Sequence, residues 1–407
     1  MTDKTSTTPK ISVDLVLIEP VKAFGGTERH TIELIHELQR KELRTAFIES
    51  GNPQVSSRIK TNRDILTIVT TELSMSPETR REFRAWTQLI NQFKTDRALI
   101  IKPWNATGST KFYELLKSRF KKIIVIEHTT VSARTKWSIH LHFNKRIRTS
   151  LWWYKNYYEL KKRATLVDRI ITVSNFNKSC LTKNTLVSAE KISVCPNGID
   201  TNFWRKDVKK ALEFRQKLNI PNDAFVFGCV GRLSPEKGFD LAISAFKEFQ
   251  KHESARNSFL IIIGAGSMLS KLVHQARDTN KRILFTGFRE ELISAYSAMN
   301  AGLFTSHHDK YWSGESFGLS LIEAMSCECG VIAMNKSATA EVIGDCSNIC
   351  ELLETRDVDT WSLAMRRYVS ASKDELEIRG AQLRKRVVEN YDASITYARL
   401  VDNIMTV

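Results

Sequence analysis

Two glutamates, Glu315 and Glu323, are eight residues apart within Gly314–Met325. They flank the start of a segment whose apolar residues recur at helical spacing. The spacing predicts that both lie around the N-terminus of an amphipathic helix, roughly 12 Å apart if the whole span were helical. That is about the reach across a ribose, a diphosphate and the first carbon of an attached sugar, and the backbone N–H groups from Phe317 to Leu319 would point at the phosphates. Because Glu323 lies among apolar residues, a buried structural ion pair is the alternative.

Two glycine-containing turns, each between a predicted strand and a predicted helix, are candidate anion-binding sites. In Gly231–Gly238, Arg232 offers a planar fork to phosphate oxygens and Lys237 a compact charge, so the two could bracket a diphosphate. Two surface cations on a solvated turn explain the pattern equally well. The pair Gly25-Gly26 opens another predicted helix, whose N-terminus would offer N–H groups to an anion, although a tight turn is as good an interpretation.

The cysteine and histidine clusters of this sequence are better explained by ordinary structural roles than by metal binding. Cys327, Cys329, Cys346 and Cys350 have the order of a zinc ligand set, but the C-x-C spacing is tight for structural zinc. The run His307-His308-Asp309 is more typical of a solvated loop. We therefore expect no metal, and the uneven scatter of the seven cysteines fits a reducing compartment better than a disulfide framework.

The elements that must position these residues alternate short β-like runs with helical periods, which favours parallel α/β architecture. Strands are predicted at Ile11–Ile18, Arg44–Ile48, Ile65–Val69, Ala98–Ile101, Ile123–Glu127, Arg169–Val173, Phe225–Val230, Phe259–Ile263, Arg282–Phe285, Ala301–Thr305 and Val331–Met334. Helices are predicted at Thr27–Lys41, Arg80–Phe93, Phe239–Gln250, Ser267–Thr279, Glu290–Met299 and Leu319–Ser326, and from Thr355 onward only helices are expected. Such doubly wound sheets bind ligands at the carboxyl ends of their strands. The predicted fold is two Rossmann-like domains that face each other across a cleft.

The domain boundary is predicted at the turn Pro196-Asn197-Gly198, which follows the last strand of the first series. The first domain would comprise residues 1–200 together with a returning C-terminal helix at about 390–407, and the second domain residues 201–389. Within the second domain, Gly264-Ala265-Gly266 is not a dinucleotide fingerprint, because it lacks the third glycine and comes late in its domain.

The net charge of the 407-residue chain, +16 from 61 Lys+Arg and 45 Asp+Glu, is confined to its first half. Residues 1–205 contain 35 basic and 19 acidic residues, and the other 26 of each sign balance. The 42% hydrophobic content excludes a largely disordered chain. No apolar run approaches the ~20 residues of a membrane span, and the polar N-terminus has no signal core, so we expect a cytoplasmic location.

Much of this charge lies in residues 111–163, where 14 basic and 3 acidic residues alternate with aromatic side chains. Cations beside such aromatics suit anionic lipid headgroups, and we expect a peripheral contact with the inner face of a membrane. Nucleic acid would favour the same charge, and a solvated helix with packed aromatics is a further alternative, but no nucleic-acid-binding motif is present. The expected contact residues are Lys145, Arg146, Arg148, Trp152, Trp153, Lys161 and Lys162.

An ordered series of short motifs resembles the retaining glycosyltransferases of family 4, which have the two-Rossmann architecture called GT-B. Each piece is common, but their order along most of the chain is specific. The series is Gly25-Gly26-Thr27-Glu28, Glu127-His128, Val173-Ser174, Pro196-Asn197-Gly198-Ile199-Asp200, Gly231-Arg232 with Lys237-Gly238, Gly264-Ala265-Gly266, Phe285-Thr286-Gly287, and Glu315-x-Phe317-Gly318-x4-Glu323-Ala324.

The resemblance implies a role for each matching residue. Glu323 would bind the ribose hydroxyls of a donor nucleotide, and Arg232 and Lys237 would neutralise its diphosphate. Glu315 would lie near the donor sugar, and His128 would face the reacting carbon from the first domain. The remaining implied donor contacts are Gly26, Gly287, Phe288, Phe317, Gly318 and Leu319. The resemblance implies neither a metal nor a cofactor, because cations and helix N-termini neutralise the phosphates.

The sequence departs from the family pattern beside the donor sugar. The loop His307–Ser313 before Glu315 is longer than usual, which leaves the identity of the sugar open. Cys329-Gly330-Val331 replaces a Gly-x-Pro-Val pattern, and residues 337–341 lack an expected glycine pair, so phosphate contacts by that loop are not implied.

Together these features predict a retaining transferase that moves a sugar from a nucleoside diphosphate, UDP favoured over GDP, to a saccharide acceptor. A lipid-linked acceptor in cell-surface polysaccharide or glycolipid synthesis would suit the basic first domain. The alternatives are a basic lipid- or RNA-binding protein on a transferase scaffold, and a glycoside hydrolase that uses Glu315 and Glu323 as its two carboxyl groups.

Overall fold

The computed structural model describes residues 10–19, 26–49, 59, 65–69, 73, 77–101, 110–129, 158–184, 187–277, 279, 281–307 and 314–407. The chain divides into two compact units. The first unit comprises Met1–Pro196 and Thr396–Val407, and the second comprises Asn197–Ile395. The predicted limits, residue 200 and about residue 390, lie close to these.

The described part of the first unit is built on a seven-stranded parallel sheet, ordered β4-β3-β2-β6-β7-β8-β9, beside a two-stranded parallel pair, β1-β5. The strands are β1 (Ile11–Ser12), β2 (Leu15–Glu19), β3 (Thr45–Glu49), β4 (Ile65–Val69), β5 (Phe93–Lys94), β6 (Arg97–Ile101), β7 (Lys122–Glu127), β8 (Arg169–Thr172) and β9 (Ile192–Val194). The helices are α1 (Gly26–Arg40), α2 (Arg80–Ile90), α3 (Thr110–Arg119) and α4 (Asn175–Asn184), and residues 158–166 are also helical. Every residue of β2 is buried, as expected for a parallel strand covered on both faces.

Two predicted elements of the first unit have different limits. The prediction of one strand over Ile11–Ile18 is wrong, because the chain turns at Asp14, whose carboxylate accepts the Arg44 N–H at 2.8 Å. As a result β1 pairs with β5 rather than extending β2. The helix predicted over Arg80–Phe93 ends at Ile90, since the following residues turn into β5.

The second unit contains a six-stranded parallel sheet in the order β12-β11-β10-β13-β14-β15. Its strands are β10 (Phe225–Val230), β11 (Ser258–Ile263), β12 (Ile283–Gly287), β13 (Ala301–Phe304), β14 (Gly330–Met334) and β15 (Glu351–Leu353). Its helices are α5 (Val208–Lys217), α6 (Phe239–Phe249), α7 (Leu269–Gln275), α8 (Ile293–Ala298), α9 (Leu319–Ser326), α10 (Thr339–Ile343), α11 (Val358–Ser370) and α12 (Lys373–Tyr391). The last helix, α13 (Ala393–Met405), belongs to the first unit from Thr396 onward.

Each sheet has a point at which the strand order reverses. In the second unit, β10 pairs with β11 on one side and β13 on the other, so the connections that leave β10 and β13 turn in opposite directions. In the first unit, β2 holds the same position between β3 and β6. A crevice forms at the carboxyl ends of such strand pairs. Two Rossmann-like parallel sheets confirm the predicted α/β fold class.

Among the described helices, none combines the length and the apolar composition that crossing a bilayer would require.

Candidate functional site

The loop after β10 is held in place by backbone contact with the loop after β11. Leu233 N–H donates to the carbonyl of Ala265 at 2.9 Å. A Cβ atom on Gly264 would come within 1.8 Å of the Gly231 carbonyl oxygen, and one on Gly266 within 2.3 Å of the Leu233 carbonyl oxygen. These two glycines therefore let the two loops contact each other backbone to backbone.

Lys237 and Glu315 meet at the carboxyl edge of the second unit's sheet. The Lys237 Nζ atom lies 2.6 Å from Glu315 Oε2, and the Ser306 hydroxyl donates to the same oxygen at 3.3 Å. The Thr305 hydroxyl donates to the Lys237 carbonyl at 2.7 Å, which joins the loop after β10 to the loop after β13. The Lys237 and Glu315 side chains are 21% and 25% exposed, so the pair borders solvent.

The charge state of Glu315 follows from these contacts. Burial alone would raise its pKa, but the Lys237 ammonium, the Ser306 hydroxyl and the more distant Arg232 outweigh burial and hold the pKa below its ordinary value. Glu315 is therefore a carboxylate beside a cation. A titratable pair of this kind at a ligand-binding crevice is a candidate for function.

Arg232 lies on the same loop as Lys237 but faces solvent. Its side chain is 73% exposed, and Nη2 lies 3.3 Å from Glu236 Oε1. Glu236 also accepts the Ser234 hydroxyl at 2.6 Å. The sequence-predicted residues Arg232, Lys237 and Glu315 are thus brought to one edge of the sheet, with Arg232 available to an anion arriving from solvent.

The helix α9 begins beside this pair. Gly318, its N-cap, has a φ of 100°, a conformation that favours glycine. Phe317 is buried, and its ring packs edge-on against Tyr391 with centroids 5.5 Å apart. The first N–H groups of α9, beginning at Leu319, have no partner within the helix and are suited to binding an anion. Phe317, Gly318 and Leu319 thus form one turn at the site.

Glu323 lies on the same helix and is 3% exposed. Its Oε2 accepts the hydroxyl of Tyr296, a residue of α8, at 3.0 Å. The buried environment foreseen for this residue is therefore present. A buried carboxylate requires hydrogen bonds, so Tyr296 helps to fix the position of Glu323.

A small crevice that opens to solvent lies between these elements. Lys237, Glu315 and Gly318 line it together with Ser306 and Thr339 from neighbouring segments. Cationic, anionic and hydroxyl groups therefore meet in one crevice at the reversal point of the second sheet.

The other implied donor contacts of the second unit lie at the end of β12. Gly287 has a φ of 73°, nothing lies within 4 Å of the point that a Cβ atom there would occupy, and its carbonyl accepts the Gly264 N–H at 2.9 Å. Phe288 is 67% exposed, so its ring is accessible to a ligand. The structure thus links the segment after β12 to the loop after β11.

His128 follows β7 directly in the first unit and contacts another histidine. The rings of His128 and His30 are 4.2 Å apart in an edge-on arrangement, and His30 also lies 5.1 Å from the Tyr397 ring. Burial lowers the pKa of His128 to about 4. Burial and the neighbouring His128 lower the pKa of His30 well below its ordinary value. Both imidazoles are therefore neutral at pH 7, and neither His128 Nε2 nor His30 Nδ1 has a hydrogen-bond partner among the described residues.

The remaining sequence predictions fall mostly outside the described residues. Gly26 is the first residue of α1, whereas Gly25 is not described. Two of the predicted membrane cations, Lys161 and Lys162, are exposed in the helical segment 158–166, and Lys162 forms an ion pair with Glu114. The other predicted membrane residues, Lys145, Arg146, Arg148, Trp152 and Trp153, lie outside the described residues.

The cysteines were the principal alternative as metal ligands. All seven are described and none forms a disulfide. Burial raises the pKa of the Cys329 and Cys350 thiols to about 12, so both are protonated at pH 7. Over the described ranges, no cluster of three or more His, Cys, Asp or Glu residues could hold a metal ion.

Sequence reasoning missed several residues of the site. Ser306 and Thr305 were not predicted as site residues, although their hydroxyls contact Glu315 and the Lys237 carbonyl. Tyr296 carried no signal, because a tyrosine in an apolar helix is normally part of a core. The glycine spacing at residues 264–266 was the one signal that could have indicated close loop packing.

Comparison with known proteins agrees with this geometry. The sequence model described as Glycosyltransferase Family 4 matches residues 24–203, and the model described as Glycosyl transferases group 1 matches residues 210–390. The chain is 26% identical over 235 residues to the UDP-Gal:alpha-D-GlcNAc-diphosphoundecaprenol alpha-1,3-galactosyltransferase of Escherichia coli, covering 56% of this chain and 58% of that protein. It is 26% identical over 188 residues to the lipopolysaccharide 1,2-N-acetylglucosaminetransferase of Salmonella typhimurium, covering 44% and 46%. The match therefore spans about half the length of these relatives.

Solved structures show the same fold. Anabaena HepE in complex with UDP has a TM-score of 0.73 at 16% identity, covering 97% of this chain and 100% of that one. WaaG, a glycosyltransferase involved in lipopolysaccharide biosynthesis, has a TM-score of 0.69 at 14% identity, covering 96% and 99%. With both halves matched in order by the two family models and the fold shared throughout, the chain belongs to the GT-B glycosyltransferases of family 4.

Proposed function

We propose that the protein transfers a sugar from a nucleoside diphosphate sugar to a saccharide acceptor, with retention of configuration at the anomeric carbon. The observation that carries the proposal is the ion pair of Lys237 and Glu315, 2.6 Å apart, at the N-terminus of the helix that bears Glu323. In this proposal, Lys237 and the helix N–H groups bind the diphosphate, Glu315 faces the sugar and Glu323 accepts the ribose hydroxyls.

The chemistry would be electrostatic. In the transfer, the bond from the anomeric carbon to the diphosphate oxygen breaks and a bond to the acceptor oxygen forms on the same face. The acceptor's proton passes to the departing phosphate, whose negative charge Lys237 and Arg232 stabilise. Because these cations are supplied by the chain itself, we propose that no metal or other cofactor takes part, and activity should survive EDTA.

The finer assignments follow from charge and from the named relatives. UDP is proposed as the nucleotide, since HepE binds UDP and the E. coli relative is named for UDP-Gal. A lipid-linked acceptor is proposed because that relative's named acceptor is a diphosphoundecaprenol. The excess of cations in residues 111–163 would hold the protein at the cytoplasmic face of an anionic membrane, in the synthesis of cell-surface polysaccharide or glycolipid.

A donor panel tests the reaction. The protein is incubated with UDP-glucose, UDP-galactose, UDP-N-acetylglucosamine and GDP-mannose, and nucleotide release is measured with and without a saccharide acceptor. We expect one donor to be consumed, with a loss of about 10²-fold or more in Glu315→Gln and Arg232→Ala. Wild-type turnover in both variants would contradict the site. Binding of neither UDP nor GDP in a calorimetric titration would contradict the donor class.

Vesicle binding tests the membrane contact separately. Neutralising Lys145, Arg146, Lys161 and Lys162 together should release the protein from vesicles containing phosphatidylglycerol without changing UDP affinity. Loss of UDP affinity in that variant would mean that these cations serve the nucleotide rather than a membrane.

A further inference from the structure

Arg356 contacts residues that follow two other strands at the carboxyl edge of the second unit's sheet. Its Nη1 atom lies 3.0 Å from His307 Nδ1, and its Nη2 atom lies 3.3 Å from Asp240 Oδ2. Arg356 follows β15, His307 follows β13, and Asp240 is in the first turn of the helix that follows β10. One guanidinium therefore ties together the chain after three strands of the sheet.

The contact selects one tautomer of His307. A guanidinium has donors and no acceptor, so His307 Nδ1 must accept the hydrogen bond from Arg356. The proton of the neutral ring is then on Nε2. A second ring proton would set an N–H group against the guanidinium donor and remove the hydrogen bond.

Arg356 also packs directly on the turn that carries Lys237. A Cβ atom on Gly238, whose φ is 67°, would come within 2.8 Å of Arg356 Nη1 and 2.5 Å of the Thr305 carbonyl oxygen. The absence of a side chain at Gly238 is what admits the guanidinium to this position. Arg356 therefore packs in a defined position against the loop that carries Lys237.

Residues 306 and 307, which follow β13, link this contact to the Glu315 carboxylate. The backbone N–H of His307 donates to the Glu236 carbonyl at 3.2 Å, and the hydroxyl of the preceding Ser306 donates to Glu315 Oε2 at 3.3 Å. Movement of His307 would therefore be transmitted through its neighbour to Glu315.

We propose that Arg356 is a positioning residue of the donor site that acts through His307. It holds the imidazole as the Nε2–H tautomer and fixes the start of the connection to Glu315, so that the subsite for the donor's sugar keeps its shape. The proposal rests on the proposed function.

The sugar rather than the nucleotide is the part of the donor that this contact governs. Ser306 and His307 adjoin Glu315, which the proposed function assigns to the donor sugar. The residue implied at the ribose, Glu323, is held separately by Tyr296. A change at Arg356 should therefore weaken binding of the sugar nucleotide more than binding of the bare nucleoside diphosphate.

The test compares Arg356→Ala, Arg356→Lys and His307→Asn with the control Arg367→Ala, which removes a different arginine whose Nη1 lies 2.9 Å from Glu351. The donor consumed fastest in the panel supplies KM and kcat, and calorimetry gives Kd for UDP or GDP. We expect Arg356→Ala and His307→Asn each to raise the donor KM about tenfold, with the nucleoside diphosphate Kd changed by less than about twofold. Arg356→Lys should behave like Arg356→Ala, because an ammonium cannot bridge Asp240 and His307 as the fork does.

Nuclear magnetic resonance of ¹⁵N-histidine provides a second readout that does not depend on turnover. His307 should show the Nε2–H tautomer in the wild type and a mixture of tautomers in Arg356→Lys. A mixture already present in the wild type would overturn the proposal.

The remaining outcomes distinguish failure of the sugar-subsite role from failure of the proposed function. An unchanged donor KM, or equal losses for the sugar nucleotide and the nucleoside diphosphate, would overturn the sugar-subsite role while leaving the proposed function intact. If the wild type consumed no sugar nucleotide and bound neither UDP nor GDP, the proposed function would fail and this proposal with it. If Arg356→Ala does not fold, His307→Asn and Arg356→Lys carry the test.

Discussion

Lys237 and Glu315 are 78 residues apart in sequence, yet Nζ and Oε2 are 2.6 Å apart in the structure. The contact exists because β10 and β13 are adjacent in the sheet, so that the loops after them meet at the point where the strand order reverses. An anionic ligand entering the crevice would find a lysine that already has one anionic partner. Since an ammonium has three N–H donors, it can bind a phosphate while it still holds Glu315.

The first prediction concerns the coupling of this pair. Lys237→Met and Glu315→Gln should each lower kcat/KM by about 10²-fold, because each removes one charge and leaves its partner unpaired. The double variant should be close to the worse single variant rather than the product of both losses, since the two groups act as a unit.

A surface pair provides the control for this cycle. Lys251 Nζ and Glu248 Oε2 are also 2.6 Å apart, but on the surface of α6 and the turn after it, and replacing them should leave kcat/KM unchanged. Strictly additive losses at Lys237 and Glu315 would show that the two side chains act independently.

The second prediction concerns the contact between the loops after β10 and β11. Gly264→Ala should destabilise the protein by roughly 3 kcal/mol, because its Cβ would lie 1.8 Å from the Gly231 carbonyl oxygen at a φ of 144°. The measurement is urea unfolding together with UDP affinity, which should fall because the loop that carries Arg232 and Lys237 is displaced.

Gly287→Ala is the matched control for stability. Gly287 also has a positive φ, 73°, but nothing lies within 4 Å of the point that a Cβ atom there would occupy. Only the backbone strain of about 1 kcal/mol is therefore expected. Equal destabilisation by the two substitutions would show that loop contact is not what requires glycine at position 264.

The strands of the two sheets were largely predictable because buried parallel strands are short apolar runs. Residues 65–69, 225–230 and 319–326 have the predicted limits, and most of the other elements that were predicted differ by one to three residues at an end. The short edge strands β9 and β15 were missed, since Glu351–Leu353 and Ile192–Val194 are too short and too polar at their flanks to show a period.

The site was predictable only where one segment contains its chemistry. Glu315 and Glu323 belong to one motif, and Arg232 and Lys237 to another. The contacts made by Tyr296, Ser306 and Arg356 depend on which strands become neighbours, and strand order is not encoded in any local pattern. The spacing of Gly264 and Gly266 was visible, but its meaning depends on a loop more than thirty residues earlier.

The third prediction concerns the hydrogen bond from Tyr296 to Glu323. Tyr296→Phe removes the hydroxyl that donates to a buried carboxylate oxygen at 3.0 Å, so the unfolding free energy should fall by about 1–3 kcal/mol. If Glu323 binds the ribose, its displaced carboxylate should also weaken UDP binding by about three- to tenfold, measured by calorimetry.

Tyr368→Phe separates the two effects. Its hydroxyl is also buried and contacts the backbone of Val331, so a similar loss of stability is expected without any change in UDP affinity. An unchanged UDP affinity in Tyr296→Phe would restrict Glu323 to the structural role that its burial also permits.

The fourth prediction concerns pH and the contact of His30 with His128. In the folded protein, burial lowers the pKa of His128 to about 4, and burial and His128 lower that of His30 as well, whereas both take ordinary values near 6.5 when unfolded. Between pH 6.5 and 4 the unfolded state therefore binds more protons. The stability that comes from keeping the two imidazoles neutral should be fully present above pH 6.5 and should decline as the pH falls toward 4.

For His128 alone, the loss between pH 7.5 and pH 5 should be on the order of 2 kcal/mol, and His30 should add to it in the same direction. Urea unfolding at the two pH values measures the loss. His128→Asn should flatten the pH dependence, whereas replacement of the exposed His274 by Gln should leave it as in the wild type. A slope that survives in His128→Asn combined with His30→Asn would place the acid sensitivity elsewhere in the protein. Because neutral His128 has no proton to lose near pH 6.5, its contribution to turnover should also stay constant from pH 6 to 8. A kcat that rises through pH 6.5 and depends on His128 would contradict the neutral state.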